Sequence, residues 1–161
     1  MHPNTDAHPN VGRVVAAGRD LGVEVSVHSF PAGTKTAADA AAAIGVEVGQ
    51  IVKSLVFTID GDPVLALVSG SNQLDEKKLA SEAGGAKCKR ADADQARAAT
   101  GYPIGGVPPF GHLTPLRVFV DRDLLGYDEV WAAAGTWNDV FPVEPHVLVQ
   151  ATSGAVADIA R

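Results

Sequence analysis

A lysine set into an apolar row is the first place where this 161-residue chain offers chemistry. In the run from Ile51 to Ile59, period two places Ile51, Lys53, Leu55, Phe57 and Ile59 on one face, and Val52, Ser54, Val56 and Thr58 on the other. An unpaired buried ammonium is costly, so the head of Lys53 either reaches an anion at a cavity mouth or snorkels to solvent from the start of the strand. Periodicity leaves these two readings even. The second place is the loop from Gly101 to His112, which holds four glycines and three prolines. Such a run continues neither a helix nor a central strand. Tyr102, Ile104, Val107 and Phe110 interleave with the breakers, which favours an ordered turn over a solvated linker. Its backbone N–H groups can approach a ligand closely. A cation and a glycine-rich loop together suit an anion or a developing oxyanion.

Other chemistries lack carriers. The histidines at 2, 8, 28, 112 and 146 show no paired metal spacing, and Cys88 is the single cysteine. Neither a metal site nor a disulfide is expected. No nucleophile elbow, Walker loop or dinucleotide fingerprint is present, so no cofactor is expected and an enzyme here works by positioning and electrostatics. A formal charge of −6 argues against a broad DNA-binding face, though not against gripping one RNA end. Lys77, Lys78, Lys87, Lys89 and Arg90 form the one basic cluster, which reads more readily as a solvated face. No apolar run reaches bilayer length and the N-terminus lacks the features of a signal peptide, so a cytoplasmic protein without membrane contact is expected.

The surrounding elements read as follows. Residues 1–10 are expected to be a flexible tail, and 11–161 a single domain. Val11, Val14, Val15, Gly18 and Leu21 recur at helical spacing and Gly22 caps them. Val23 to Phe30 alternates as a strand. Thr36 and Asp39 open a short helix that ends at Gly45. Asp60-Gly61 between two β-branched runs predicts a tight hairpin. Asp75 and Asp92 cap two further helices, the second stopping at Gly101. Strands follow near 116–121, 129–135 and 140–143, then a helix from Pro145, with the tail after Ala155 adding a helical turn. Hairpins with interspersed helices predict an α+β class, with a curved, mixed but mainly antiparallel, barrel-like sheet.

The lysine strand, the Asp60-Gly61 hairpin, the run from Asn72 to Leu79 and above all the Gly101–Pro109 loop resemble the YbaK/EbsC family. These are freestanding relatives of the editing domain of bacterial prolyl-tRNA synthetase. The likeness runs in order from about Val23 to Ile159. It implies hydrolysis of the ester linking a wrong amino acid to tRNA, with the aminoacyl-tRNA 3′ end as partner and an aminoacyl-tRNA synthetase as a second. It further implies that Lys53 anchors the phosphate or ribose of the terminal adenosine, that Gly101, Gly105 and Gly106 supply backbone groups around the ester, and that Phe30, Ser54 and Pro108 lie about the substrate. The family generally needs no metal, and the substrate's 2′-hydroxyl helps to orient water. Tyr102, Trp131 and Trp137 are aromatic candidates for the terminal base, with core packing preferred for Trp131; His112 reads as a surface loop residue. Where the cysteine-specific branch has a Gly-Gly-Lys-Arg-Gly type of run, this chain has Ala134 to Asp139 without the basic pair. Alanine and serine are therefore as good substrates as cysteine. The competing reading is a non-catalytic module that holds an RNA end, a nucleotide or a synthetase in the same cleft.

Overall fold

The computed structural model describes residues 8–31, 33–34 and 36–161. Of the expected flexible tail, residues 1–7 lie outside that range. Helix α1 (Pro9–Asp20) starts at once after it, with proline in its first turn and His8 accepting the Asn10 N–H at 3.0 Å. Val11, Val14 and Gly18 face the core. The expected strand from Val23 is mostly absent: only β1 (His28–Ser29) pairs. Val23, Val25 and Val27 still point inward in alternation, but no neighbouring strand accepts their backbone.

Local signals set the next elements. Thr36 accepts the Asp39 N–H to open α2 (Ala37–Ile44), which ends at a left-handed Gly45. A turn of 3-10 helix, Val48–Gln50, leads into β2 (Val52–Ile59) and β3 (Asp62–Ser69). Their register pairs Ile59 with Asp62. Asp60 and Gly61 carry φ of 52° and 91°, the two positive angles that a type I′ turn demands. Asp75 opens α3 (Glu76–Ala83) and a reciprocal Asp92–Gln95 capping box opens α4 (Ala93–Thr100), with β4 (Cys88–Arg90) between them. The Asp60 carboxylate accepts the N–H groups of Ala86 and Lys87, tying the hairpin tip to β4 and holding its pKa below the usual value.

The remaining strands are β5 (Arg117–Asp121), β6 (Val130–Ala133) and β7 (Asp139–Val143), followed by α5 (Pro145–Thr152). The tail does not add a helical turn. It forms β8 (Ala155–Ala157), which joins β5 in parallel. Beyond it the Ile159 carbonyl accepts the Asp75 N–H at 2.8 Å and the Arg161 N–H reaches Gln73 O at 2.9 Å. Ile159 is fully buried, so packing against Phe57, Leu74 and Leu79 overrides the weak local preference.

The fold is mixed α+β, built on two sheets. One is a five-stranded mixed sheet in the order β4-β2-β3-β5-β8, and the other is antiparallel in the order β1-β7-β6. They meet at a single parallel bridge between Ile51 and Trp131, and the described strands close no barrel. Leu65 and Leu67 of β3 pack into one core and Val64, Ala66 and Val68 into a second on the opposite face. Burial on both faces is why β3 reads as a continuous apolar run instead of alternating. On β2 the two-residue period holds, with Val52 and Val56 in the first core and Phe57 and Ile59 in the second. No helix among the described residues is long and apolar enough to cross a membrane.

Candidate active site

The outer edge of β2 is covered only at its two ends. Phe57 to Ile59 pair with β4, Ala91 donates to the Val56 carbonyl at 3.0 Å, and Ile51 bridges to Trp131. Between these contacts no described strand pairs with the edge around Ser54. A cleft of about 300 Å³ opens there. All six residues from Ile51 to Val56 line it, so it runs along the strand edge and not over one face. Thr34 and Thr36 border it from the α2 side, Trp131 and Ala133 from β6, Arg90 from β4, and Ile104, Gly105 and Val107 from the glycine loop.

Lys53 is half-buried in this wall, and its Nζ donates to the backbone carbonyl of Asn72. Burial lowers its pKa, the nearby Arg90 guanidinium lowers it further, and the Asp121 carboxylate pulls the other way. Asp121 is 1% exposed. One of its oxygens accepts the Ser69 N–H at 3.0 Å and the Asn72 side-chain amide at 2.9 Å; the other accepts the Asp123 N–H at 3.0 Å. The same Asn72 amide also reaches Asp123 at 2.7 Å. The residue that holds the lysine head is thus fixed through a buried carboxylate. An ammonium has three donors, and one is committed to Asn72.

The loop and the lysine share the cleft, but the loop's glycines divide into different roles. Gly101 is the left-handed cap of α4, and its N–H is already donated to Arg97 O at 2.7 Å. Gly106 donates to Pro103 O at 2.9 Å. Both N–H groups are thus donated within the chain, and neither glycine lines the cleft. Gly105, with φ of 88°, is the loop glycine that lines the cleft. A Cβ on Gly106 would stand 3.0 Å from Gly135 O and from the Thr136 backbone, so this glycine allows the loop to lie directly on the 135–136 turn. Gly106→Val should therefore lower stability by about 1–3 kcal/mol and widen the cleft. A thermal melt checks the first and substrate KM the second.

Of the remaining expected residues, Ser54 lines the cleft beside Lys53, and its hydroxyl is buried without a hydrogen-bond partner. The Trp131 indole N–H is likewise unpartnered. Phe30 lies behind the wall, packed with Ile51, Trp131 and Val140. Pro108 is buried and gives its carbonyl to His112 Nε2 at 2.7 Å. His112 borders a separate groove near α1 and α5, and burial pushes its pKa down. Tyr102 is 1% exposed and Arg13 covers its ring at 4.7 Å, so it is not free to stack on a base. Cys88 packs against the second core, with its thiol pushed up to about 11 by burial. Lys78 clasps Asp158, while Lys77, Lys87 and Lys89 are solvated. Arg90 is the member of the basic cluster that lines the cleft, a role visible only once β4 is seen to end there. Thr34 and Thr36 carried no sequence signal beyond a helix cap.

A sequence model described as an aminoacyl-tRNA editing domain matches residues 31–151. The chain belongs to this family. A crystal structure of a candidate trans-editing enzyme for prolyl-tRNA synthetase superposes on this editing-domain chain with a TM-score of 0.91 at 46% identity, covering 96% of this chain and 99% of that one. EbsC of Enterococcus faecalis, named as a candidate Cys-tRNA(Pro)/Cys-tRNA(Cys) deacylase, is 30% identical over 77% of this chain and 76% of its own length. The proline–tRNA ligase of Nitratidesulfovibrio vulgaris is 35% identical over 79% of this chain, which spans 22% of the ligase. The chain spans about a fifth of the proline–tRNA ligases that it matches, and three quarters or more of the two freestanding relatives.

Proposed function

We propose that this protein is a cytoplasmic trans-editing hydrolase that cleaves the ester between a small, wrongly attached amino acid and the 3′ end of a tRNA. The observation that carries this reading is the meeting of Lys53 with Ile104, Gly105 and Val107 in one cleft of about 300 Å³. Two cations, Lys53 and Arg90, supply the field for a phosphate of the terminal nucleotides, and their mutual repulsion is relieved when that anion arrives. Ile51, Val107, Trp131 and Ala133 wall the amino-acid end with apolar groups, which suits alanine, serine or cysteine. Such a pocket cannot exclude the smaller of these by binding energy alone.

In the reaction, water adds to the ester carbonyl to give a tetrahedral oxyanion. The bond from carbonyl carbon to ribose oxygen then breaks, the ribose oxygen takes a proton, and a free amino acid leaves. The protein's contribution is positioning and electrostatics. The edge of β2 at Ser54, the unpartnered Ser54 hydroxyl and the backbone of Gly105 are polar groups that can meet the developing charge beside Lys53, and the substrate's 2′-hydroxyl orients the water. A proline tRNA is the first tRNA to test, and a synthetase supplying tRNA affinity is the second partner.

A panel of mischarged tRNAs carrying Ala, Ser, Cys and Pro tests this directly. Release of one of the first three, with cognate prolyl-tRNA spared, is the expected result. Saturable binding with no release from any of them would replace the hydrolase with a binding module.

A further inference from the structure

Resting on the reading above, we propose that Arg90, and not Lys53, grips the phosphate that joins the terminal nucleoside of the tRNA to its neighbour, which leaves Lys53 to the ester. Arg90 is the last residue of β4 and pairs with Phe57, at the point where β4 leaves β2 and the open edge begins. It is exposed and lines the cleft. Its guanidinium lies 5.9 Å from the centroid of the Phe57 ring, and no hydrogen bond or ion pair to a described residue engages it. The ring steadies the head but supplies no oxygen acceptor. Other cations around the sheet are spent: Lys78 and Arg122 on Asp158, and Arg117 on the Ala83 carbonyl. In a chain with 19 acidic against 13 basic side chains, an arginine without a carboxylate at a cleft mouth is an exception that an anionic ligand explains.

Lys53 is placed differently. Its Nζ donates to the Asn72 carbonyl, and Asn72 is fixed by Asp121 at the end of β5. In the sheet order β4-β2-β3-β5, this holds the lysine head from the β3 side, while Arg90 enters from the β4 side. Lys53 lies four residues from Phe57, the partner of Arg90, which is about 13 Å along β2. The two side chains close part of that interval, near enough for the guanidinium to lower the lysine's pKa. A ligand in the cleft therefore meets the two cations at separate points. A terminal nucleotide needs this arrangement, since its ester and its phosphate stand on opposite sides of one ribose. The heads divide in the same way: a planar fork matches two oxygens of a phosphodiester, and a compact ammonium suits charge that develops on one oxygen. The clamp makes at least two linked nucleotides part of the substrate, so an aminoacylated nucleoside alone is a poor one.

Two measurements test the assignment. In the first, two trinucleotides are titrated calorimetrically into the wild-type chain, Arg90→Gln, Arg90→Lys and Lys53→Met. One is CCA, the sequence that ends tRNA, and the other is CCA with its last phosphodiester replaced by an uncharged methylphosphonate. The wild type is expected to bind the phosphodiester about 10- to 100-fold more tightly than its neutral analogue. Arg90→Gln should bind both equally weakly, Arg90→Lys should keep part of the preference because it keeps the charge without the fork, and Lys53→Met should keep the preference. In the second, deacylation of mischarged tRNA by Arg90→Gln is expected to show KM raised about 10- to 100-fold with kcat within about twofold of wild type. A preference that survives in Arg90→Gln or disappears in Lys53→Met overturns the clamp and leaves the hydrolase reading intact. Equal affinity of the wild type for the two trinucleotides, or none for either, does the same. A preference carried by Arg90 in a chain that releases no amino acid from any tRNA keeps the clamp and removes the hydrolase reading.

Discussion

Lys53→Met should cut editing about 100-fold without weakening the fold. The variant keeps the aliphatic stem that packs in the cleft wall and removes the charge together with the hydrogen bond to the Asn72 carbonyl. Loss of a preorganised, partly desolvated cation that faces developing or bound negative charge is expected to lower kcat/KM by about 10²-fold. A rise in KM alone would make Lys53 an anchor for ground-state phosphate, whereas a fall in kcat would place its charge near the scissile ester. Stability should move in the opposite sense from activity. Burial and Arg90 hold the folded-state pKa of Lys53 below its ordinary 10.5, so the unfolded chain binds this proton more tightly. The lysine therefore detracts from stability at neutral pH, and its contribution improves as pH rises from the lowered pKa toward 10.5. Lys53→Met removes that term. A melting temperature equal to or above that of wild type at pH 7, together with lost deacylation, is the expected pair of results; a cooperative loss of both would mean that the lysine is structural.

The second large effect belongs to Asp121. Its carboxylate meets three donors, from Ser69, Asn72 and Asp123, in a site with 1% exposure. Asp121→Asn turns one acceptor into a donor and leaves at least one buried N–H facing another. Stability should fall by about 2–4 kcal/mol, since hydrogen bonds to charged groups are worth about 1.5–3 kcal/mol each. The functional consequence is separable from that loss. Asp121 is the group that raises the Lys53 pKa against burial and Arg90, so its neutralisation leaves the ammonium less favoured. The alkaline limb of the pH–rate profile, where Lys53 loses its proton, should move to lower pH. Profiles recorded well below the variant's melting temperature decide the matter, because a purely structural role would scale the rate and leave the limb in place.

Local physics made much of this molecule legible in advance. The Asp60-Gly61 hairpin and the helix caps at Thr36, Asp75 and Asp92 depend on neighbours a few residues away, and each forms as its spacing implies. The failures are all non-local. Val23 to Val27 has the alternation of a strand but no partner strand, and Ala155 to Ala157 becomes a strand because β5 offers an edge. The site divides in the same way. Alternation singles out Lys53 as an interruption, and the glycine loop is conspicuous by composition. That their cleft runs along an uncovered strand edge depends on where β4 ends and on the bridge between Ile51 and Trp131, which no local pattern encodes. The N–H groups of Gly101 and Gly106 were spent on a helix cap and a turn, a matter of hydrogen-bond assignment that composition does not carry.

The attachment of the C-terminal segment gives this chain an order of assembly. Asn72, whose carbonyl holds Lys53, leads into the stretch where Gln73 and Asp75 bond to Arg161 and Ile159 and Leu74 bridges to Ala160. On the ribosome, the β2–β3 hairpin can form early from neighbouring residues, yet the Asn72 carbonyl that receives its lysine is held through Asp121 and flanked by a stretch that residues 159–161 brace, both later in the chain. The cleft wall can thus form before the seat of its cation is fixed.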